Sequence, residues 1–186
     1  MAEPRLRMDD ESYLTFERAS ELKHELWDGE VYAMSGASLA HNRIVRNLLR
    51  HLGNALDGSG CEPLPSDMRV RLPGHGRYVY PDVTLVCGPP SLEGERDILL
   101  NPKTIIEVLS PSTAAFDRGD KFIAYRGISS VDEIVFVSQH ERRVECYTRQ
   151  SGDSWLLREY RDDGAISLMA LSAPLPLRLV YADVEI

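Results

Sequence analysis

Asp82 and Glu107 are acidic side chains in stretches that otherwise resist acid. Asp82 follows Pro81 inside the β-rich run Tyr-Val-Tyr-Pro-Asp-Val-Thr-Leu-Val, residues 78–86. Aspartate is disfavoured in a strand interior, and proline cannot donate to a ladder. Glu107 interrupts Thr-Ile-Ile-Glu-Val-Leu-Ser, which is apolar on both alternating faces. That pattern reads as a central strand covered on both sides, where a carboxylate is costly unless a cation faces it. Asp117, Lys121 and Tyr125 follow at i, i+4 and i+8, so one helix face carries all three.

Two carboxylates on neighbouring strands, with a lysine on the next helix, suit a divalent-metal phosphodiester site. Magnesium takes one or two protein carboxylates, keeps several waters and draws its remaining ligands from substrate phosphate. Bound there, it polarises the phosphorus–oxygen bond and lowers the pKa of a bound water, and a lysine can orient that water or offset developing charge. Without the ion, two close carboxylates repel and one pKa rises. Each residue also has a purely structural alternative. Asp82 can belong to a Pro-Asp turn or bulge, Glu107 to an ion pair with an arginine, and Asp117–Lys121 to a surface i,i+4 pair worth roughly 0.2–0.5 kcal/mol. Tyr125 can simply be a half-buried aromatic.

Several elements must position these groups. Asp9 and Asp10 precede a short helix with Tyr13, Leu14 and Phe16 inward. Asp28-Gly29 between two apolar-rich arms signals a tight hairpin. A helix is predicted from Ser38, its N-cap, to Leu56, with His41, Val45, Leu48, Leu52 and Ala55 on one face and Ile44 and Leu49 beside it. Arg43, Arg46 and Arg50 form a second stripe, read as a solvated face in preference to a phosphate-binding one, as are Arg69, Arg71 and Arg77. Strands follow over residues 67–72 and 78–87, then an excursion through Pro89-Pro90, the Glu107 strand, the Lys121 helix and a strand over 131–137. A second hairpin turns at Gly152-Asp153, and a proline-punctuated tail ends the chain. Helices mixed with a hairpin-rich sheet predict an α/β or α+β fold rather than a purely parallel one. With 186 residues and no linker or repeat, a single domain is expected over 1–186.

The composition narrows partners and compartment. A net charge of −8 argues against a protein that coats nucleic acid with its whole surface. Three cysteines without a CxxC pair predict neither a disulfide framework nor a thiolate zinc site, and each is expected to pack as a small apolar group. The charged N-terminus lacks the apolar stretch of a signal peptide, and the C-terminal apolar run is broken by Pro174, Pro176 and Arg178. A cytoplasmic location without membrane association is the expectation. No GxGxxG, GxxxxGK[ST] or GxSxG is present, which removes the common nucleotide-binding and serine-hydrolase classes.

The residues that matter for chemistry also carry a resemblance. Trp27-Asp-Gly-Glu-Val-Tyr-Ala-Met34, His41, Tyr80-Pro-Asp-Val83, Glu107-Val-Leu-Ser-Pro-Ser-Thr113, Asp117, Lys121 and Tyr125 resemble the Uma-two family of restriction-endonuclease-like proteins, within the PD-(D/E)XK nuclease superfamily. The resemblance implies a restriction-endonuclease-like α/β core, a mixed β-sheet flanked by helices with additional N- and C-terminal β-hairpins. It also implies Mg²⁺-dependent cleavage of nucleic acid, DNA first, with Mn²⁺ as a substitute ion. Asp82 would be the motif aspartate and Glu107 the motif glutamate, both holding metal. The superfamily's lysine stands two residues after the glutamate. That position is Leu109 here, so Lys121 would replace it from the following helix. Glu30 would be the outer carboxylate of the first motif, against an exposed hairpin glutamate as the alternative. His41 would be a proton relay or water ligand, against a core-edge histidine. A homodimer is compatible with a double-strand cutter. The competing function is a non-catalytic module that binds nucleic acid or protein and keeps the nuclease scaffold.

Overall fold

Caps and turns set the frame. In a computed structural model that describes residues 6–111 and 114–186, Asp9 caps α1 (Asp10–Ala19) by accepting from Ser12 N at 2.8 Å. Ser38 caps α2 (Leu39–Leu56) by accepting from His41 N at 3.1 Å. Residues 1–5 of the charged N-terminus, and Ser112 and Thr113 of the Glu107 motif, lie outside the described residues. Asp28 and Gly29 take φ values of 50° and 79°, as a two-residue hairpin between β2 (His24–Trp27) and β3 (Glu30–Ala33) requires.

Two large sheets result. The first joins β1 (Leu6–Arg7), β3, β2, β6 (Arg77–Val79), β5 (Arg69–Arg71), β9 (Ile98–Leu99) and β8 (Leu92–Glu93) in that spatial order. The second runs β13 (Trp155–Arg161), β12 (Arg143–Arg149), β11 (Glu133–Ser138), β10 (Thr104–Leu109), β7 (Val83–Cys87) and β4 (Cys61–Pro65). It is mixed, because β10 and β11 are parallel while its other pairs are antiparallel. Both predicted hairpins extend these sheets rather than standing apart from them. The tail adds β14 (Ala165–Ile166), β15 (Leu175–Pro176) and α5 (Leu177–Val180).

Helices flank the second sheet. Ile44, Leu48 and Leu52 of α2, with Leu177 and Val180 of α5, cover Val83, Leu85, Ile106 and Val135 on one face. On the other face, Tyr125 and Ile128 pack with Ile105, Ile134 and Phe136, in a cluster that continues into Val70, Val79 and Leu99 of the first sheet. The first sheet's far side packs Tyr13 of α1 against Leu26, Val31, Tyr78 and Ile98. Glu107 thus lies in a strand buried along its whole length, as its two-sided apolar sequence predicts.

Four expectations change. Residues 78–87 are not one strand: β6 belongs to the first sheet and β7 to the second, and Tyr80-Pro81-Asp82 is the crossing between them. Pro81 has no N–H to continue a ladder, so the chain leaves one sheet there and enters the other. The buried stripe of α2 is rotated to Ile44, Asn47, Leu48, Leu52 and Leu56, leaving Ala55 exposed. Asn47 belongs inside because its amide donates to Val180 O at 2.9 Å and Ala182 O at 2.8 Å. Cys61 and Cys87 form a disulfide rather than packing as thiols, since β4 and β7 set them directly opposite each other; Cys146 is free and buried. Among the arginines, Arg46 and Arg50 are exposed and Arg43 is half-buried, as a solvated face requires, whereas Arg69 is buried and bonds Tyr80 and Asp97; Arg71 pairs with Glu93 and Arg77 with Asp28. Among the described residues no helix is long and apolar enough to cross a membrane.

Candidate active site

The register of the β7–β10 ladder brings the two acids together. Val83 opposes Ile106, so Asp82, one residue before β7, arrives beside Glu107. Asp82 N donates to Glu107 Oε2 at 3.4 Å, and Asp82 Oδ2 accepts from Val108 N at 2.7 Å. His41, in the first turn of α2, places Nε2 3.1 Å from the same Oδ2. For Nε2–H to donate, the neutral ring must carry its proton there. His41 Nδ1 is buried and has no hydrogen-bond partner among the described residues.

The helical run over Glu107 is irregular. Between α3 (Ala114–Phe116) and α4 (Phe122–Arg126), residues Asp117–Lys121 form a π-helical turn. Such a widened turn redirects side chains and recurs at functional sites. Lys121 Nζ lies 2.8 Å from Glu25 Oε1, 3.5 Å from Glu107 Oε1 and 3.7 Å from Asp117 Oδ1. Tyr125 donates its hydroxyl to Glu107 Oε1 at 2.5 Å. Asp117, Lys121 and Tyr125 therefore converge on one place, as their spacing predicts.

Electrostatics follow from burial. Loss of solvent pushes the Glu107 carboxyl well above its usual range, aided by Asp117 and Asp82 and opposed by Lys121 and Tyr125. Burial also works against the Lys121 ammonium, but Glu107, Glu25 and Asp117 outweigh it and raise its pKa. Tyr125 is held as a phenol by burial and by the Glu107 carboxylate. Glu107, Lys121 and Tyr125 form a closed floor, whereas Asp82, His41 and Glu25 retain 14–16% side-chain exposure at its rim.

Glu30 is not part of this assembly. It bonds Arg7 and the Tyr32 hydroxyl at the end of the hairpin. The first sheet contributes Glu25 instead, whose Oε1 also accepts from Tyr80 N at 3.1 Å. The sequence carries a signal for it. Trp27, two residues on and therefore on the same strand face, packs against Phe116 with ring centroids 4.9 Å apart. A glutamate that alternates with an inward tryptophan also points inward.

The donor set fits one hard cation sharing its shell with water and phosphate. Among the described residues both hydrogen bonds of Asp82's carboxylate fall on Oδ2, and the Glu107 Oε2 contact is a single long one, so Oδ1 and Oε2 are the less committed oxygens of the pair. Among the described residues no group of three His, Cys, Asp or Glu side chains forms a ready-made metal cage. Two carboxylates and an incomplete shell are the magnesium pattern rather than the calcium or zinc one.

A mixed sheet flanked by helices, with Asp82 where the chain changes sheets and Glu107 on the neighbouring strand, is the architecture of a restriction-endonuclease-like α/β protein. The fold is shared with a structure described as a putative nuclease belonging to DUF820 from Anabaena variabilis. That structure matches with a TM-score of 0.75 over 94% of this chain and 98% of its own, at 14% identity. The chain belongs to the Uma2 family, described as putative restriction endonuclease, which matches residues 10–179. Two relatives from Synechocystis are uncharacterized proteins. Slr1290 is 32% identical over 94% of this chain and 92% of its own length, and sll1609 is 36% identical over 82% and 87%.

Proposed function

We propose that the protein is a Mg²⁺-dependent endonuclease that hydrolyses phosphodiester bonds of DNA, with Asp82 and Glu107 as metal ligands. The observation that carries this reading is the meeting of those two carboxylates beside Lys121, each with one oxygen little engaged by the protein. When bound, the ion supplies Lewis-acid activation of the phosphate and a more acidic water. Asp82 is oriented for this by Val108 N and His41, which hold Oδ2 and turn Oδ1 away from them. Tyr125 fixes Glu107 through Oε1. Lys121 stays cationic beside three carboxylates and offsets charge that builds on the phosphorane. His41 stands at the rim, but its Nδ1 is buried, so its part here is to orient Asp82 through Nε2 rather than to exchange a proton with solvent through Nδ1.

The test is cleavage of supercoiled plasmid by purified protein with Mg²⁺ or Mn²⁺. Wild type nicks the plasmid, and Asp82→Asn and Glu107→Gln do not, while both retain a cooperative melt. Equal nicking by both variants, or by protein in EDTA, sinks the reading. Binding of DNA without turnover under any divalent ion supports the non-catalytic alternative instead.

A further inference from the structure

Among the described residues the two large sheets have four edges, and three of them are short or carry proline. β8 is two residues long, and β1 spans two of the described residues. β4 carries Pro63 and Pro65, which have no N–H to offer another strand. β13 differs. It runs for seven residues without proline, and its adjacent Leu156 and Leu157 are 41% and 47% exposed. Its far half carries Arg158, Glu159 and Arg161, so this long, half-apolar edge is a template for a strand whose charges complement them.

The ladder to β12 shows which backbone groups are available. Gln150 N donates to Ser154 O at 2.8 Å and Asp162 N to Arg142 O at 3.0 Å, so hydrogen-bonded pairs bracket the hairpin at both ends. Pair types alternate along an antiparallel ladder. Trp155, Leu157 and Glu159 therefore occupy non-hydrogen-bonded positions toward β12 and turn their N–H and C=O groups to the open edge, as Arg161 does its N–H, while Arg161 O accepts from Gly164 N at 2.8 Å.

We propose that this edge is a homodimer interface, with β13 pairing antiparallel to β13 of a second copy about a two-fold axis at Leu157. The occupant follows from self-complementarity. A two-fold axis sets one residue opposite its own copy, which leaves few registers. Centring on Arg158 or Glu159 opposes like charges, and centring on Leu156 sets Glu159 against Asp153 of the second copy. Centring on Tyr160 opposes unlike charges but pairs only residues 159–161 and leaves both leucines uncovered. Centring on Leu157 escapes all of these. Leu157 meets itself and exchanges reciprocal backbone hydrogen bonds, Leu156 lies along the stem of Arg158, Trp155 faces Glu159, and Arg161 reaches the turn that carries Asp153. The interface owes nothing to the nuclease reading.

Light scattering on the full chain is expected to give twice the 20.9 kDa chain mass, reversibly with dilution. Leu157→Lys sets two ammonium groups across the axis and is expected to return the monomer mass while keeping a cooperative melt, now independent of protein concentration. The register has its own test. Chains bearing Leu156→Cys, mixed with chains bearing Arg158→Cys under mild oxidant, form a mixed disulfide, and neither links to itself. A monomer at every concentration, a dimer undisturbed in the folded Leu157→Lys chain, or self-linking of Arg158→Cys overturns the proposal. If Leu157→Lys does not fold, the cysteine pair alone decides.

Discussion

Lys121 Nζ is closer to Glu25 Oε1, at 2.8 Å, than to Glu107 Oε1, at 3.5 Å. Its ammonium is therefore shared between β2 of one sheet and β10 of the other, and it ties the two sheets across the floor of the candidate site. Replacing Glu25 by Gln removes one of three charges that hold the ammonium in place. The expected result is a cleavage rate lower by roughly 10–100-fold with little change in apparent Mg²⁺ affinity. Single-turnover kinetics across a magnesium titration separates the two effects, and a loss confined to metal affinity contradicts this role.

Cation binding should depend on Asp82 and Glu107 more than on any other side chain. Asp82→Asn and Glu107→Gln are each expected to weaken Mn²⁺ binding by at least about tenfold, whereas Glu30→Gln leaves it unchanged because Glu30 is committed to Arg7 and Tyr32. Electron paramagnetic resonance of free Mn²⁺ reads this without relying on activity.

The pH dependence has a defined sign. Burial raises the Glu107 carboxyl from an ordinary 4.5 to about 8. Between those values the metal-free folded state holds a proton that the unfolded chain has released. This group's contribution to stability is thus complete below 4.5 and is lost as pH climbs through about 8. A cation must displace the same proton, so Mn²⁺ affinity is expected to rise over that interval. Melting temperature against pH, with and without Mn²⁺, tests both slopes, and Glu107→Gln should flatten them.

Asn47 makes a structural prediction away from the chemistry. Its amide is wholly buried and serves the carbonyls of Val180 and Ala182. Asn47→Leu preserves volume but strands both acceptors, and it is expected to cost about 1–3 kcal/mol. Urea unfolding measures it, and a neutral result would mean that the tail does not depend on this anchor.

The Cys61–Cys87 bond joins facing ends of β4 and β7. Cys61→Ser with Cys87→Ser is expected to lower stability by about 2–4 kcal/mol, with equal melting of wild type and variant under reductant. Unequal melting under those conditions would trace the change to serine packing rather than to the bond.

Local rules were enough for much of this molecule. The Asp9 and Ser38 caps, the Asp28-Gly29 turn, the doubly covered Glu107 strand and the shared face of Asp117, Lys121 and Tyr125 each depend on residues within a few positions of one another. Asp82 and Glu107 stood out in the sequence because acids in β-rich apolar runs demand a partner.

Tertiary structure decided what no local rule reaches. That Tyr80-Pro81-Asp82 is a crossing between sheets depends on which strands β6 and β7 find as neighbours. That Glu25 rather than Glu30 faces Lys121 depends on which hairpin face meets the helical run. That two cysteines meet depends on the β4–β7 register. Alternation says that a strand has two faces, but only packing against other elements says what each face will touch, because long-range pairing energies far exceed the local preferences a sequence displays.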